Sequence, residues 1–184
     1  MDILIRELRT EDDEYDINID GSFIVDSTLV LQFEGQRIGY TVKERPFRIK
    51  RYDDEPIEED TVEDHSISID NPHKIIYIAL VNNQVVGQMV LKRNWNQYAY
   101  VEDIKVDHQY RGHGIGNKLI EQAKRWAKHG GMTGIMLETQ SNNVRACRFY
   151  ESCGFVIGGF DSYVYRGLDK ESDEIAVYWY LMLD

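Results

Sequence analysis

Cysteine is nearly absent from this chain: Cys147 and Cys153 are the only two in 184 residues. Two cysteines build no disulfide framework, so a reducing, cytoplasmic location is the expectation. Basic residues are also scarce, with 21 Lys and Arg against 32 Asp and Glu and a net charge of −11. Phosphate binding needs a basic face, so nucleic acid is not expected as a partner. Such a field favours a cationic substrate, and a soluble acidic surface explains the same count. No apolar run approaches the length of a membrane span, so no membrane partner is expected. The start, Met1-Asp2-Ile3-Leu4-Ile5-Arg6, lacks the basic and apolar regions of a signal peptide. His65, His73, His108 and His129 show no metal-ligand spacing, so no metal is expected. What is present is a 42 % hydrophobic chain, enough for one folded domain over residues 1–184.

Periodicity orders that domain. Ile3–Leu8 reads as a strand, and Thr10–Asn18 as an acidic turn or helix. Thr28–Val42 alternates apolar and polar residues around Glu34-Gly35, which predicts a hairpin. Asp53–Asp64 holds eight acids and no base, and without it the net charge would be −3 rather than −11. A solvated linker and a negative lip beside a substrate entrance both fit that run. Ile75–Val81, Gln84–Lys92 and Tyr98–Val106 form an antiparallel meander with turns at Val81-Asn82-Asn83 and Asn94-Trp95-Asn96. Ile115, Leu119, Ile120, Ala123, Trp126 and Ala127 have helical spacing over Ile115–His129, and Gly130-Gly131 ends that helix. Thr133–Thr139 is a strand, Asn143–Ser152 a helix, and Phe155–Tyr165 and Ile175–Leu183 are the last strands. Strand, helix and strand in succession imply a parallel pair in a mixed α/β (α+β) sheet.

Between the meander and the first helix lies Arg111-Gly112-His113-Gly114-Ile115-Gly116, of the form R-x-x-G-x-G. Glycines 112, 114 and 116 remove side chains where a loop turns tightly and approaches a ligand. The helix that follows presents unsatisfied N–H groups and a positive dipole end, which suit a pyrophosphate. The glycine spacing is not that of a dinucleotide fold, and Asn117-Lys118-Leu119 lacks the G-K-[ST] of a phosphate-loop NTPase.

A second segment, Asn142-Asn143-Val144-Arg145-Ala146-Cys147-Arg148-Phe149-Tyr150 running to Gly154-Phe155, has the pattern N-x-x-A-x-x-F-Y-x-x-x-G-F. Together the two segments resemble the GCN5-related N-acetyltransferase (GNAT) superfamily, whose loop binds the pyrophosphate of acetyl-CoA. Further runs narrow the resemblance: Asp20-Gly21-Ser22-Phe23, Val101-Glu102-Asp103-Ile104, Leu137-Glu138-Thr139-Gln140, Gly158-Gly159-Phe160-Asp161 and Ala176-Val177-Tyr178-Trp179-Tyr180. They look like the streptothricin (nourseothricin) acetyltransferases. The resemblance implies a mixed central sheet flanked by helices, with two parallel strands that splay apart to admit the pantetheine arm. It implies acetyl-CoA as acetyl donor, no metal, and a small cationic antibiotic of the streptothricin class as acceptor, acetylated on its β-lysine moiety. A homodimer stays open.

Acetyl transfer to an amine needs a neutral nucleophile, although an alkyl ammonium has a pKa of about 10. It also needs a proton or another stabilising group for the departing thiolate. Glu102 is the candidate base. On a regular strand it shares the face of Ile104 and Val106, with Asp103 on the other face, and a bulge would change that assignment. It could take the proton directly or through water, bind the ammonium, or be a surface glutamate. Tyr150 is the candidate acid, seven residues and two turns beyond Asn143 on the same helical face, with a packing aromatic as the plain alternative. Asn143 reads equally as an N-cap and as a pantetheine contact. By resemblance the cofactor set comprises Ile104, Lys105, Val106, Arg111, Gly112, His113, Gly114, Ile115, Gly116, Asn117, Asn143 and Ala146. His113 is a loop contact and not a catalyst, and the superfamily's direct transfer in a ternary complex disfavours an acyl-cysteine intermediate without excluding it. Trp95, Glu102, Asp103, Asp161, Tyr163 and Tyr165 are the substrate candidates, since aromatic faces and carboxylates suit an ammonium. Two other readings share these features: an acetyltransferase of protein lysine or N-terminal amines, and a non-catalytic acyl-CoA-binding module. The presence of both Glu102 and Tyr150 argues against the second.

Overall fold

From the N-terminus the computed structural model runs β1 (Leu4–Glu7), β2 (Phe23–Glu34), β3 (Arg37–Lys50), β4 (Lys74–Val81), β5 (Gln84–Arg93), β6 (Tyr98–Val106), α1 (Ile115–His129), β7 (Gly134–Gln140), α2 (Val144–Ser152), β8 (Val156–Asp161) and β9 (Ala176–Met182). It describes residues 1–9, 12, 17–51 and 71–183. The acidic run Asp53–Asp64 and most of Thr10–Asn18 lie outside the described residues. Contacts divide the described residues into two units: 1–9, 12, 17–21, 71–135 and 183 in one, and 22–51 and 136–182 in the other.

In the first unit β1, β4, β5 and β6 lie side by side in that order, every pair antiparallel. The β4–β5 turn closes on Asn82 and Asn83 with φ of 49° and 63°. That left-handed pair matches the strand twist, and Asn tolerates it better than most residues. Alternation then sorts the side chains. Leu8, Ile76, Ile78, Leu80, Val85 and Val90 make one core, with Ile17 and Ile19 packed against it. On the other sheet face α1 buries Ile115, Leu119, Ile120, Ala123 and Ala127. Burying one leucine or isoleucine there is worth about 1.5–3 kcal/mol. The Thr133 N–H donates to the Gln97 carbonyl at 2.9 Å. The starts of β6 and β7 therefore lie together, as expected when a helix connects parallel strands.

In the second unit β9 lies between β7 and β8. The β8–β9 pair is antiparallel, and the Ser141 N–H donates to the Ile175 carbonyl at 2.8 Å, so β9 also runs against β7. The fully buried Trp179 donates its indole N–H to Thr139 Oγ1 at 3.0 Å, which satisfies both groups away from water.

Two sequence expectations change length. The hairpin is longer than Thr28–Val42, because β2 starts at Phe23 and β3 continues to Lys50. The alternation fails where the register jumps from Val25–Arg48 to Ser27–Glu44, and Pro46 sits within that bulge, where a missing N–H is harmless. The strand expected over Phe155–Tyr165 is only Val156–Asp161. Asp161 Oδ1 accepts the N–H groups of Tyr163 at 2.7 Å and Val164 at 3.1 Å, which turns the chain into a short 3-10 segment.

Candidate active site

The glycine loop is built from backbone. Gly112 and Gly114 have φ of 79° and 80°, the left-handed region that disfavours any side chain. A Cβ at either position would meet nothing within 4 Å, so backbone conformation and not crowding requires glycine here. Arg111 donates from Nε to the Val106 carbonyl at 2.9 Å. His113 Nδ1 lies 3.0 Å from the Arg111 carbonyl and 3.2 Å from the Tyr110 carbonyl. Two carbonyl oxygens face that nitrogen, so it carries the proton, and the ring braces the loop.

Gly114 is the N-cap of α1 and supplies no side-chain cap. The first bond into the helix is from the Lys118 N–H to the Gly114 carbonyl at 3.1 Å. The N–H groups of Ile115 and Gly116 precede it, at the positive end of the dipole. Ile115 is buried, which anchors this helix end, while residues 111–114 are exposed. Exposed backbone donors on a rigid support can hold an anion such as a pyrophosphate.

Strand β6 overturns one expectation about Glu102. Val101 pairs with Leu91 and Asp103 with Val90, so Glu102 is the extra residue of a bulge. Past the bulge, Ile104 and Val106 pair with Met89 and Gly87 on the α1 side of the sheet. Glu102 instead reaches Lys92 Nζ at 2.7 Å and Lys74 Nζ at 3.0 Å, on the opposite side. It therefore does not share the face of Ile104 and Val106, and Asp103 joins it on the Val90 side. Burial pushes the Glu102 carboxyl up, but the hydrogen bonds of Lys92 and Lys74 outweigh burial and hold it below its ordinary value. Asp103 sits 3.5 Å from Lys105 Nζ. Trp95 is 88 % exposed on the β5–β6 turn. That turn is at the end of β6 opposite the glycine loop, on the order of 25 Å along the strand.

The second unit holds the remaining candidates. Asn143 caps α2, its Oδ1 accepting the Ala146 N–H at 3.3 Å. Tyr150 is 6 % exposed. Its ring packs against Phe149 at 5.3 Å, Phe155 at 5.7 Å and Trp179 at 6.4 Å between centroids. Of the adjacent aromatics it is Tyr150, and not Phe149, that is buried. Cys147 is fully buried, and burial pushes its thiol up to about 11, which makes it inert as a nucleophile. Asp161 is committed to the turn it caps. The exposed ring of Tyr163 lies 5.1 Å from the Arg166 guanidinium, a cation of the chain itself. Tyr165 donates its phenol to Glu138 Oε1.

Sequence reasoning did not single out Glu138, Lys74 or Lys92. Glu138 had a signal, since it is the one charged residue in the buried strand Gly134–Gln140 and a charge there needs a partner. Tyr178 lies close to it: burial pushes the Tyr178 phenol up, and the fields of Glu138 and Asp161 add to the shift. Lys74 and Lys92 had no local signal. Among the described residues no group of three His, Cys, Asp or Glu side chains is placed to hold a metal ion, and no helix is long and apolar enough to cross a membrane.

The "Acetyltransferase (GNAT) family" model matches residues 40–155. Streptothricin acetyltransferase A of Bacillus subtilis is 34 % identical over 160 residues, covering 86 % of this chain and 87 % of that one. Streptothricin acetyltransferase of Escherichia coli is 45 % identical over 104 residues, which span 56 % of this chain and 60 % of that relative's length. A Bacillus anthracis crystal structure, assigned to the streptothricin acetyltransferases and in complex with acetyl coenzyme A, is 54 % identical. It superposes with a TM-score of 0.89 and covers 100 % of this chain and 99 % of that one. The shared architecture is an α+β fold, a mixed sheet of parallel and antiparallel strands flanked by two helices. A glycine-turned loop opening α1, an asparagine-capped α2 carrying Tyr150, and matches that run the length of the sequence agree on one assignment: the chain belongs to the GNAT family of acetyltransferases.

Proposed function

We propose that residues 1–184 form a single acetyl-CoA-dependent N-acetyltransferase domain that acetylates an amino group in the β-lysine moiety of streptothricin. The observation that carries this reading is the loop Arg111–Gly116, whose two left-handed glycines expose backbone donors at the start of α1. The named relatives and the acetyl-CoA bound to the Bacillus anthracis protein support the choice of substrates. The net charge of −11 suits a polycationic acceptor.

In this reading the N–H groups of residues 112–117 and the Arg111 side chain bind the pyrophosphate, and the backbone of Ile104, Lys105 and Val106 receives the pantetheine amides. Asn143 and Ala146 are the proposed pantetheine contacts on α2. The neutral acceptor nitrogen attacks the thioester carbon, the C–S bond breaks, Tyr150 gives its phenolic proton to the departing sulfur, and the proton that the nitrogen sheds passes through solvent water to the Tyr150 phenolate. The new amide is uncharged, so the antibiotic loses one positive charge and with it attraction to an anionic target. Asp103, Asp161, Tyr163, Tyr165 and Trp95 are proposed as acceptor contacts. A cytoplasmic location belongs to the same proposal.

The test is incubation with acetyl-CoA and streptothricin, followed by mass spectrometry of the antibiotic and release of free thiol. We expect one acetyl group per drug and one thiol per acetyl. Acetylation of lysine or N-terminal peptides in preference to the drug would replace the acceptor assignment. Acetyl-CoA binding without turnover of any amine would leave only an acyl-CoA-binding module.

A further inference from the structure

We propose that Lys74, Lys92 and Glu102 form an ion ladder across three strands that fixes the β6 bulge, so that Glu102 is a positioning residue and not the proton acceptor of the transfer step. Lys74 on β4 stands directly opposite Lys92 on β5 in the ladder register. Like charges directly opposite one another destabilise a sheet. Glu102 on β6 resolves that repulsion, accepting from Lys92 at 2.7 Å and from Lys74 at 3.0 Å.

Geometry engages both carboxylate oxygens in this task, Oε1 with Lys92 and Oε2 with Lys74. The triad carries a net positive charge, so it offers no attraction to an incoming ammonium. The Glu102 side chain keeps 24 % of its exposure and that of Lys74 23 %, so this pair is partly shielded from water, while Lys92 at 42 % is more exposed. Lys92 also lies 5.3 Å from the centre of the Tyr100 ring, which holds it against the sheet. The lowered carboxyl follows from the same contacts and makes Glu102 a weaker base than an ordinary glutamate. What the ladder secures is the register past the bulge. Glu102 is the residue left out of the β5–β6 register, and its anchoring keeps Asp103 opposite Val90 and Ile104 opposite Met89. A one-residue slip would send the backbone of residues 103–106 to the wrong side of the strand.

The kinetic arm of the test rests on the proposed acetyl transfer, and the exchange arm does not. Four proteins are compared: wild type, Glu102→Gln, Lys74→Gln/Lys92→Gln, and the triple variant. Hydrogen–deuterium exchange over residues 99–106 reads the strand directly. We expect Glu102→Gln to speed exchange there, and the triple variant to restore the slower exchange. In kcat/KM, Glu102→Gln should cost about 10-fold in the wild-type background. In the Lys74→Gln/Lys92→Gln background it should cost no more than about twofold, the range expected for a residue that has lost its coupling partners. The acidic limb of the pH–rate profile should be the same in wild type and triple variant. An equal loss of about 100-fold or more in both backgrounds, or loss of that limb in the triple variant, would make Glu102 the base and overturn the proposal. Unchanged exchange in Glu102→Gln would overturn it as well. If wild type turns over no streptothricin, the proposed function falls and the exchange data still judge the ladder.

Discussion

The two helices begin in opposite ways. α1 starts at a left-handed glycine with no side-chain cap, after four exposed residues. α2 starts at Asn143, whose own oxygen satisfies the Ala146 N–H. A helix start always presents donors that lack an intrahelical acceptor. At α2 the chain supplies an acceptor to its own helix, and at α1 it supplies none from a side chain. On the proposed function, a binding helix start is told from a capped one by what the chain withholds.

The sharpest way to break this comparison is to give Gly114 a side chain. At φ of 80° a β-branched residue is strained, at a cost of about 1–3 kcal/mol. Gly114→Val should weaken acetyl-CoA binding by about 10- to 100-fold with the circular dichroism spectrum unchanged. Calorimetric titration measures it, and equal affinity would remove the loop from the cofactor site. A smaller effect is expected at the far end of α2. Tyr150→Phe keeps the packing against Phe149, Phe155 and Trp179 but removes the proton donor. Single-turnover rates should fall by about 10-fold, below the usual range for a general acid because a thiolate leaves well unaided. Acetyl-CoA affinity should stay within about twofold. Equal rates would leave Tyr150 a packing residue.

Asn143→Ala tests the other helix start. Loss of the cap should cost about 1 kcal/mol in urea unfolding, and Asn143→Asp should recover most of it. The effect on acetyl-CoA affinity should be smaller than that of Gly114→Val. An equal or greater effect would mean that α2 binds ligand as α1 does, and the contrast between the helices would fail. Least of all should happen at Cys147. With its thiol pushed up to about 11 by burial, the neutral form persists until the pH approaches that value, so a thiolate-specific reagent at pH 8 should label Cys153 and spare Cys147 in the native protein. Both should react after unfolding in urea, and native labelling of Cys147 would reopen an acyl-cysteine step.

The sequence carried the α1 start almost completely, because glycine conformation, helical spacing and terminal donors are all local properties. It carried the meander for a similar reason, since alternation and the Asn82-Asn83 turn need no distant residue. It carried the ends of β3 and β8 poorly. Pro46 and Asp161 break the strand pattern through a bulge and a side-chain cap that alternation does not register.

Glu102 marks the boundary between the two kinds of information. From the residues alone it is a glutamate two positions before Ile104, and the period of two puts both on one face. That inference assumes an unbroken ladder, and one inserted residue reverses it. The partners of Glu102 come from positions 74 and 92, brought beside it only when β4, β5 and β6 pair. Local sequence was therefore sufficient for the glycine loop, the two helices and the family pattern, because each depends on backbone geometry within a few residues. The charge state and direction of Glu102, like the partnering of Glu138 with Tyr165, were decided by the tertiary structure, because a carboxylate's chemistry is set by the charges and donors that folding places around it.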